Sequence, residues 1–423
     1  MPQASTLISL RQNAEYTFKQ NITAGRHGWL RLTPAYSVTL VNRILAGLQG
    51  NERILDPFSG TATTPLSASE AGFSAVSVDI NPFLVWFGNA KLHRYTESEL
   101  LRAEQCAERV LREYDTNVPI SFPPIHNIER WWNASELHHL ASLKATLERV
   151  VEDSSPEKNI LLIAFCRQMM RLSNAAFNHQ SMSFKQAIEP IPQTQLFEQA
   201  SFGLHMQDWR KDVEFVVETA RQHAPVLEAK ALLGDGRRID EVCRKECLSK
   251  FDCVITSPPY PNRMSYIREL RPYMYWLGFL NQAREAGELD WQAIGGTWGI
   301  ATSRLNDWQA PSNGIFMPSK LRTTLDIIAA KDEKNSVLLA RYIEKYFADM
   351  WLHFQALQRV LAPNAQLHYI VGNSTFYETL LPVEELYVAM LRELGFINVG
   401  VATIRKRNSK KELFEFHITA TKT

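Results

Sequence analysis

The sequence predicts an α/β chain: a doubly wound, mostly parallel sheet with an antiparallel C-terminal hairpin and a helical insertion. Three observations predict it. The stretch "ERILDPFSGTATTPLSASEAGFSAVSVDINPF" (52–83) has the layout of strand, helix and strand. Three further short apolar runs, in "AKALLGDGRR" (229–238), "FDCVITSPPY" (251–260) and "AQLHYIVGNSTF" (365–376), stop at Gly, Asp, Ser or Asn, as strands opening into loops do. The segment "FINVGVATIRKRNSKKELFEFHITAT" (396–421) reads as two strands around a basic turn, an antiparallel edge on a parallel sheet.

Taken in order, 53–55 is a short strand that enters a Gly/Ser/Thr turn, 64–71 suits a helix that Gly72 stops, and 75–78 is a second strand with Asp79 at its carboxyl end. Residues 97–228 carry helical periodicity, as in "SELHHLASLKATLERVVE" (135–152) and "EKNILLIAFCRQMMRLSNAA" (157–176), where apolar residues recur every three or four positions. The tandem tryptophans of "RWW" (130–132) read as a packing cluster at a helix start. Residues 264–340 open with an aromatic-rich run, "SYIRELRPYMYWLGFL", and pass into "GGTWGIATSRLNDWQAPSNG", whose Gly, Ser and Asn content predicts irregular loops.

Composition bounds the function. With 46 Lys+Arg against 45 Asp+Glu the formal net charge is +1, so a nucleic-acid footprint has to be a local patch rather than a uniform basic coat. Cys106, Cys166, Cys243, Cys247 and Cys253 form no CxxC pair, which predicts neither a disulfide framework nor a metal site. The start "MPQASTLISLRQ" lacks a basic segment followed by an apolar one, and no apolar run approaches the ~20 residues of a membrane span. A cytoplasmic protein without membrane association is expected.

In a doubly wound sheet, ligands sit beyond the carboxyl ends of the strands where strand order reverses. Gly60 lets the backbone approach a ligand there, and the amides opening the next helix suit a carboxylate. Asp79 is placed to accept from ribose hydroxyls and Asp235 from an exocyclic amine. A dinucleotide is poorly served, because "DPFSGTATTPLSASEAG" has only Gly60 before Gly72 and no GxGxxG set. In "DCVITSPPYPNR" (252–263), a buried-strand pattern runs into Pro258 and Pro259, which hold Ser257 and the chain after it extended, as a stiff ledge.

"DPFSGTATT", "VDINP" and "TSPPY" resemble the cofactor and catalytic motifs of the S-adenosylmethionine-dependent DNA amino-methyltransferases, the family that methylates cytosine N4 or adenine N6. "HGWLRLTPAYSVTLV" (27–41) is similar to the segment that in this family precedes the first strand and helps enclose the methionine end of the cofactor. The match covers about half of the chain. It implies a Rossmann-like methyltransferase fold and S-adenosyl-L-methionine as cofactor, lined by Asp56, Phe58, Ser59, Gly60, Thr61 and Ile80, with Asp79 on the ribose and Asp235 on the adenine. Thr33, Pro34 and Ala35 carry over from the upstream segment. The catalytic set is Ser257, Pro258, Pro259 and Tyr260: the Ser257 side chain and the Pro258 carbonyl accept the amine's protons, and Tyr260 stacks on a flipped-out base. The sequence has no Pro-Cys pair of the kind that ring-carbon cytosine methylation uses.

Serine at the first position of the tetrapeptide usually accompanies cytosine N4 methylation, with adenine N6 as the alternative; RNA guanine-N2 enzymes resemble "DPPYG" here instead. The implied partners are double-stranded DNA and a cognate restriction endonuclease. A non-catalytic nucleic-acid-binding subunit on the same fold is the alternative from another class. The resemblance divides the chain into a catalytic domain (1–96, 229–263 and 341–423), a helical insertion (97–228) and a candidate target-recognition insertion (264–340). DNA contacts are expected from Arg263, Arg268 and Arg271 after the ledge and from Asn178 and Lys185, with His179 an ordinary loop residue and "RKRNSKK" (405–411) a solvated tip.

Overall fold

The computed structural model describes residues 16–32, 35–176, 183–184, 195–297, 299–310, 314–407 and 412–423. Its main sheet has seven strands: β1 (Ile54–Asp56), β2 (Ala75–Asp79), β3 (Ala229–Leu233), β4 (Phe251–Thr256), β5 (Leu361–Gly372), β6 (Ile397–Lys406) and β7 (Phe414–Thr421). Their order is β3-β2-β1-β4-β5-β7-β6. The pairs β1/β2, β2/β3, β1/β4 and β4/β5 are parallel, whereas β7 runs antiparallel to both β5 and β6. This is the doubly wound, Rossmann-like α/β fold with an antiparallel edge.

The chain builds outward from β1 to β3, then returns to lay β4 on the other side of β1, so strand order reverses between β1 and β4. Both strands are buried over almost their whole length, as continuous apolar runs under helices on both faces require. β5 stops at Gly372, short of the expected strand end, and 374–376 folds instead into a small hairpin with 379–381. Asn373 causes the departure, because its Oδ1 accepts from the Phe414 amide at 2.8 Å and pins the turn to β7.

Helix α1 (Val38–Leu45) precedes β1; α2 (Thr63–Glu70) and α3 (Pro82–Leu92) follow β1 and β2. The insertion contains α4 (Glu97–Glu113), α5 (Ala134–Val150), α6 (Pro156–Arg171) and α7 (Gln195–Gln222). Reciprocal capping boxes, Thr96 with Glu99 and Asn133 with Glu136, start α4 and α5, and Ser155 ahead of Pro156 starts α6. Later come α8 (Ile239–Lys245), α9 (Tyr266–Trp276), α10 (Ala283–Gln292), α11 (Ile300–Arg304), α12 (Ser319–Ala329), α13 (Ser336–Val360) and α14 (Val383–Glu393). The stretch expected to be irregular thus holds α11, and α13 begins before residue 341. Among the described residues no helix is long and apolar enough to cross a membrane.

Two large cores form. One joins β4, β5 and β7 to α13 and α14; the other joins α3 to α4–α7 and α9. Trp131 and Trp132 are buried in the second, where Trp132 meets Trp276 edge-on at 5.7 Å and Tyr273 stacks on Phe83 at 5.1 Å. Ile267, Leu270, Tyr273 and Met274 recur at helical spacing on the buried face of α9, so most of the aromatic run after the ledge is core rather than a surface for bases.

Candidate active site

Construction of the site starts at the strand-order reversal. Thr256 ends β4 and Asp56 ends β1, and the Thr256 hydroxyl donates to Asp56 Oδ1 at 2.6 Å, joining two loops 200 residues apart in sequence. The same oxygen accepts from the Phe58 amide at 3.1 Å, while Oδ2 has no hydrogen-bond partner among the described residues. Burial pushes the Asp56 carboxyl up to about 6, against the pull of the Thr256 hydroxyl and the Phe58 amide.

Past Asp56 the chain turns sharply. Gly60 has φ 50° and Ala62 φ 56°, both left-handed, and α2 begins on Ala62 without a side-chain cap, so the turn leaves backbone amides at an uncapped helix start. The Gly60 amide donates to Asp79 Oδ2 at 2.8 Å, and the Asn81 amide to Oδ1 at 2.9 Å. These bonds place Asp79, half-buried at the end of β2, directly beside the β1 turn. Desolvation dominates them and raises its carboxyl to about 7. Lys91, fully buried on α3, donates to the Thr61 carbonyl at 2.6 Å and fixes the turn from below; burial lowers its ammonium to about 7.

The other members of the expected cofactor set divide. The Ser59 hydroxyl donates to Ser77 at 2.9 Å and Thr61 pairs with Thr63, so both side chains brace the turn. The Phe58 ring packs on His353 at 4.7 Å and against the bare Cα of Gly236. Ala35 and Ile80 are half-buried, whereas Thr33 and Pro34 lie outside the described residues.

Asp235, at the end of β3, is held by an ion pair. Both its carboxylate oxygens accept from Arg237 at 2.7–3.0 Å, and Oδ1 also takes the Arg237 amide; Arg237 in turn reaches Asp349 at 2.9 Å. Three N–H groups of Arg237 thus point at the carboxylate and fix Asp235 in the loop after β3, with part of the side chain still exposed.

The ledge closes the groove on the β4 side. The Ser257 hydroxyl donates to the Ile370 carbonyl at 3.1 Å, which directs its proton towards β5, and the same hydroxyl is a hydrogen-bonding neighbour of Tyr260. The Pro259 carbonyl accepts from Tyr346 at 2.8 Å, and Tyr346 meets Tyr387 at 2.6 Å, so α13 and α14 hold the ledge from behind. Pro258 is buried. The Tyr260 hydroxyl donates to buried Glu415 on β7 at 2.8 Å, and Glu415 also accepts from Arg405 at 2.8 Å. Arg407 lies over the Tyr260 ring, its guanidinium carbon 4.9 Å from the centroid.

The basic segment read as a solvated tip therefore starts with Arg405 on Glu415, which holds the Tyr260 hydroxyl, and with Arg407 on the Tyr260 ring. Thr256, Lys91, Tyr346, Glu415 and Arg407 all escaped the sequence reading. A hydroxyl directly before the ledge and a lone lysine in the apolar helix "FLVWFGNAKL" were visible signals for the first two. The others come from distant elements and left no local pattern.

The residues expected to contact DNA also divide. Arg263 is exposed in a left-handed conformation (φ 62°), its amide on Tyr342 and its carbonyl on Thr297, each at 3.3 Å. Arg268 is on the exposed side of α9. Arg271 is half-buried, its guanidinium over the Trp131 ring at 5.4 Å. Asn178 and Lys185, like His179, lie outside the described residues.

Sheet order, switch point and strand-end carboxylates define a Rossmann-like fold in which the loops after β1, β2 and β4 meet. No family model matches the chain. The chain is 20% identical to the type II methyltransferase M.BsoBI of Geobacillus stearothermophilus, over 95% of this chain and 84% of that protein. It is 22% identical to the type II methyltransferase M.MvaI of Kocuria varians (79% and 72% covered) and 23% identical to the type II methyltransferase M.AvaI of a Nostoc species (94% and 85% covered). Among solved structures, the rRNA methyltransferase AviRa from Streptomyces viridochromogenes overlaps 92% of this chain and 86% of its own, at 11% identity and a TM-score of 0.32.

Proposed function

We propose that this chain is an S-adenosyl-L-methionine-dependent DNA methyltransferase acting on the exocyclic N4 amine of cytosine, as the modification partner of a restriction endonuclease in the cytoplasm. One observation carries the reading: the Thr256–Asp56 bond brings the DPFSG turn and the SPPY ledge to one groove. Similarity to type II methyltransferases along most of the chain supports it.

The residues present fit the cofactor. The uncapped start of α2 suits its carboxylate, Asp79 suits its ribose hydroxyls, and the Gly60 turn leaves the backbone close to both. When bound, S-adenosylmethionine supplies an electrophilic methyl carbon. The chain supplies acceptors for the amine: Ser257, whose own proton goes to the Ile370 carbonyl, takes one amine hydrogen bond, and the Pro258 carbonyl takes the other. These bonds draw the nitrogen lone pair out of conjugation with the ring, and the prolines fix the acceptors in advance, so little ordering is left for the reaction. Tyr260 gives the base an aromatic face once it leaves the helix, at a cost of a few kcal/mol.

The test is to bind radiolabelled S-adenosylmethionine, add bacterial genomic DNA, and hydrolyse the product to nucleosides for mass spectrometry. N4-methylcytosine is expected. N6-methyladenine alone transfers the reading to adenine, and label that binds but never reaches DNA ends the catalytic reading in favour of a nucleic-acid-binding subunit. Sequencing the modified DNA identifies the site used below.

A further inference from the structure

The proposed chemistry needs an aromatic face for the base, and in this structure an arginine already covers a face of Tyr260. The Arg407 guanidinium is 4.9 Å from the ring centroid, inside the range of a cation–π contact. Its seat is built. A Cβ added to Gly372 would lie 2.2 Å from Arg407 Nη1 and 2.9 Å from Tyr260 Cε2, so any side chain at 372 closes the notch that the guanidinium fills beside the ring. Gly372 has no positive φ, so this close approach, and not backbone conformation, is what requires glycine.

The two arginines of the hairpin are held differently. Arg405 is a neutralised strut, paired with Glu415 at 2.8 Å, and Glu415 anchors the Tyr260 hydroxyl at the ring's edge. Among the described residues Arg407 bonds only to a neutral carbonyl, Asn373 O at 2.9 Å, and no ion pair among them balances its charge. The ring is therefore fixed by one contact and covered by another that breaks more easily. A guanidinium is planar and close to the thickness of a base, so the covered face takes one of them at a time.

Resting on the function proposed above, we propose that Arg407 is a specificity-determining residue of the base pocket: it occupies the Tyr260 face as a stand-in for the target base and yields that face when the base enters. The freed cation then lies at the rim of the groove, where a DNA phosphate is the partner it meets. Base entry is charged the loss of the cation–π contact, and duplexes whose target base stays stacked leave the stand-in in place.

The experiment compares affinities for two duplexes carrying the methylated site, one intact and one with an abasic residue at the target position. Any phosphate contact made by Arg407 affects both duplexes and cancels in the ratio. Arg407→Ala is expected to shift that ratio toward the intact duplex by about three- to tenfold, the size of a partly desolvated cation–π contact. Arg407→Lys, which keeps the charge but not the plane, is expected to fall between the wild type and Arg407→Ala.

An unchanged ratio, or a shift toward the abasic duplex, overturns the stand-in and leaves Arg407 a buttress of the ring. S-adenosylmethionine affinity equal to wild type confirms that the variants are folded. A wild-type protein that binds the cofactor but methylates no DNA sinks the function itself, an outcome separable from failure of the ratio.

Discussion

At the scale of single residues, the site is a set of groups whose protons are already assigned. Ser257 donates to the Ile370 carbonyl, so in the proposed reaction it acts as an acceptor and its removal should affect the chemical step. Ser257→Ala is expected to keep S-adenosylmethionine affinity while kcat falls about a hundredfold or more, read by calorimetry and by label transfer to DNA. Unchanged turnover removes Ser257 from the mechanism. Asp79 gives a pH signature instead. Its carboxyl is raised to about 7 from 3.8, so the folded, ligand-free protein holds a proton there that the unfolded chain has lost. The stability cost is absent below the unfolded pKa, grows as pH rises between the two values and is complete above about 7. Binding has the opposite preference, because ribose hydroxyls donate to the ionised form. Affinity for adenosine, which does not itself titrate near neutrality, should be full above about pH 7 and weaken below it by at most about tenfold per pH unit, and Asp79→Asn should flatten the profile. A flat profile in the wild type separates Asp79 from the ribose.

At the scale of elements, the hydrogen bond between the ends of β1 and β4 carries the alignment of both loops. Thr256→Val removes a donor from a buried carboxylate and keeps the side chain's shape. Asp56, raised to about 6, is ionised at about pH 8 and mostly protonated at about pH 5, and a bond to a charged acceptor is worth more than one to a neutral acceptor. Urea denaturation should therefore show a loss of about 2 kcal/mol at the higher pH and about 1 kcal/mol or less at the lower. Equal losses at both mean that Asp56 is not charged in the fold. That the two loops would meet was legible in the sequence, because alternating strands and helices imply a switch point and both motifs sit at carboxyl ends of strands. The amphipathic spacing of Ile267, Leu270, Tyr273 and Met274 was equally present in the sequence. What no local pattern encodes is partnership across the fold. Tyr346 reaches Pro259 from α13, Glu415 and Arg407 reach Tyr260 from the terminal hairpin, and Arg237 occupies the aspartate that its own loop presents. Such pairs depend on strand order and register, which are set only when the sheet closes.

For the whole molecule, the question is whether the helical insertion is a passenger or a part of the site's support. Its core is shared. α3, which follows directly from Asp79, contributes Phe83 and Phe87 to it, and α9, which follows directly from the ledge, contributes Tyr273 and Trp276. Asn81, next to Asp79's loop, also touches Met274 of α9, its Nδ2 3.5 Å from the sulfur. Melting the insertion would therefore uncover the two segments that hold Asp79 and the ledge, and a unit that shares its core in this way unfolds with its host. Trp132 tests this because it lies in the shared core with no exposed surface, its indole N–H on the Met169 carbonyl at 2.8 Å. Trp132→Ala opens a large cavity and is expected to cost about 3–5 kcal/mol. Followed by far-UV circular dichroism and by loss of adenosine binding, the transition should move to lower denaturant by the same amount in both signals and stay a single step. If circular dichroism instead resolves an early helical transition while adenosine binding keeps its wild-type midpoint, the insertion folds on its own, and the sheet holds Asp79 and the ledge without it.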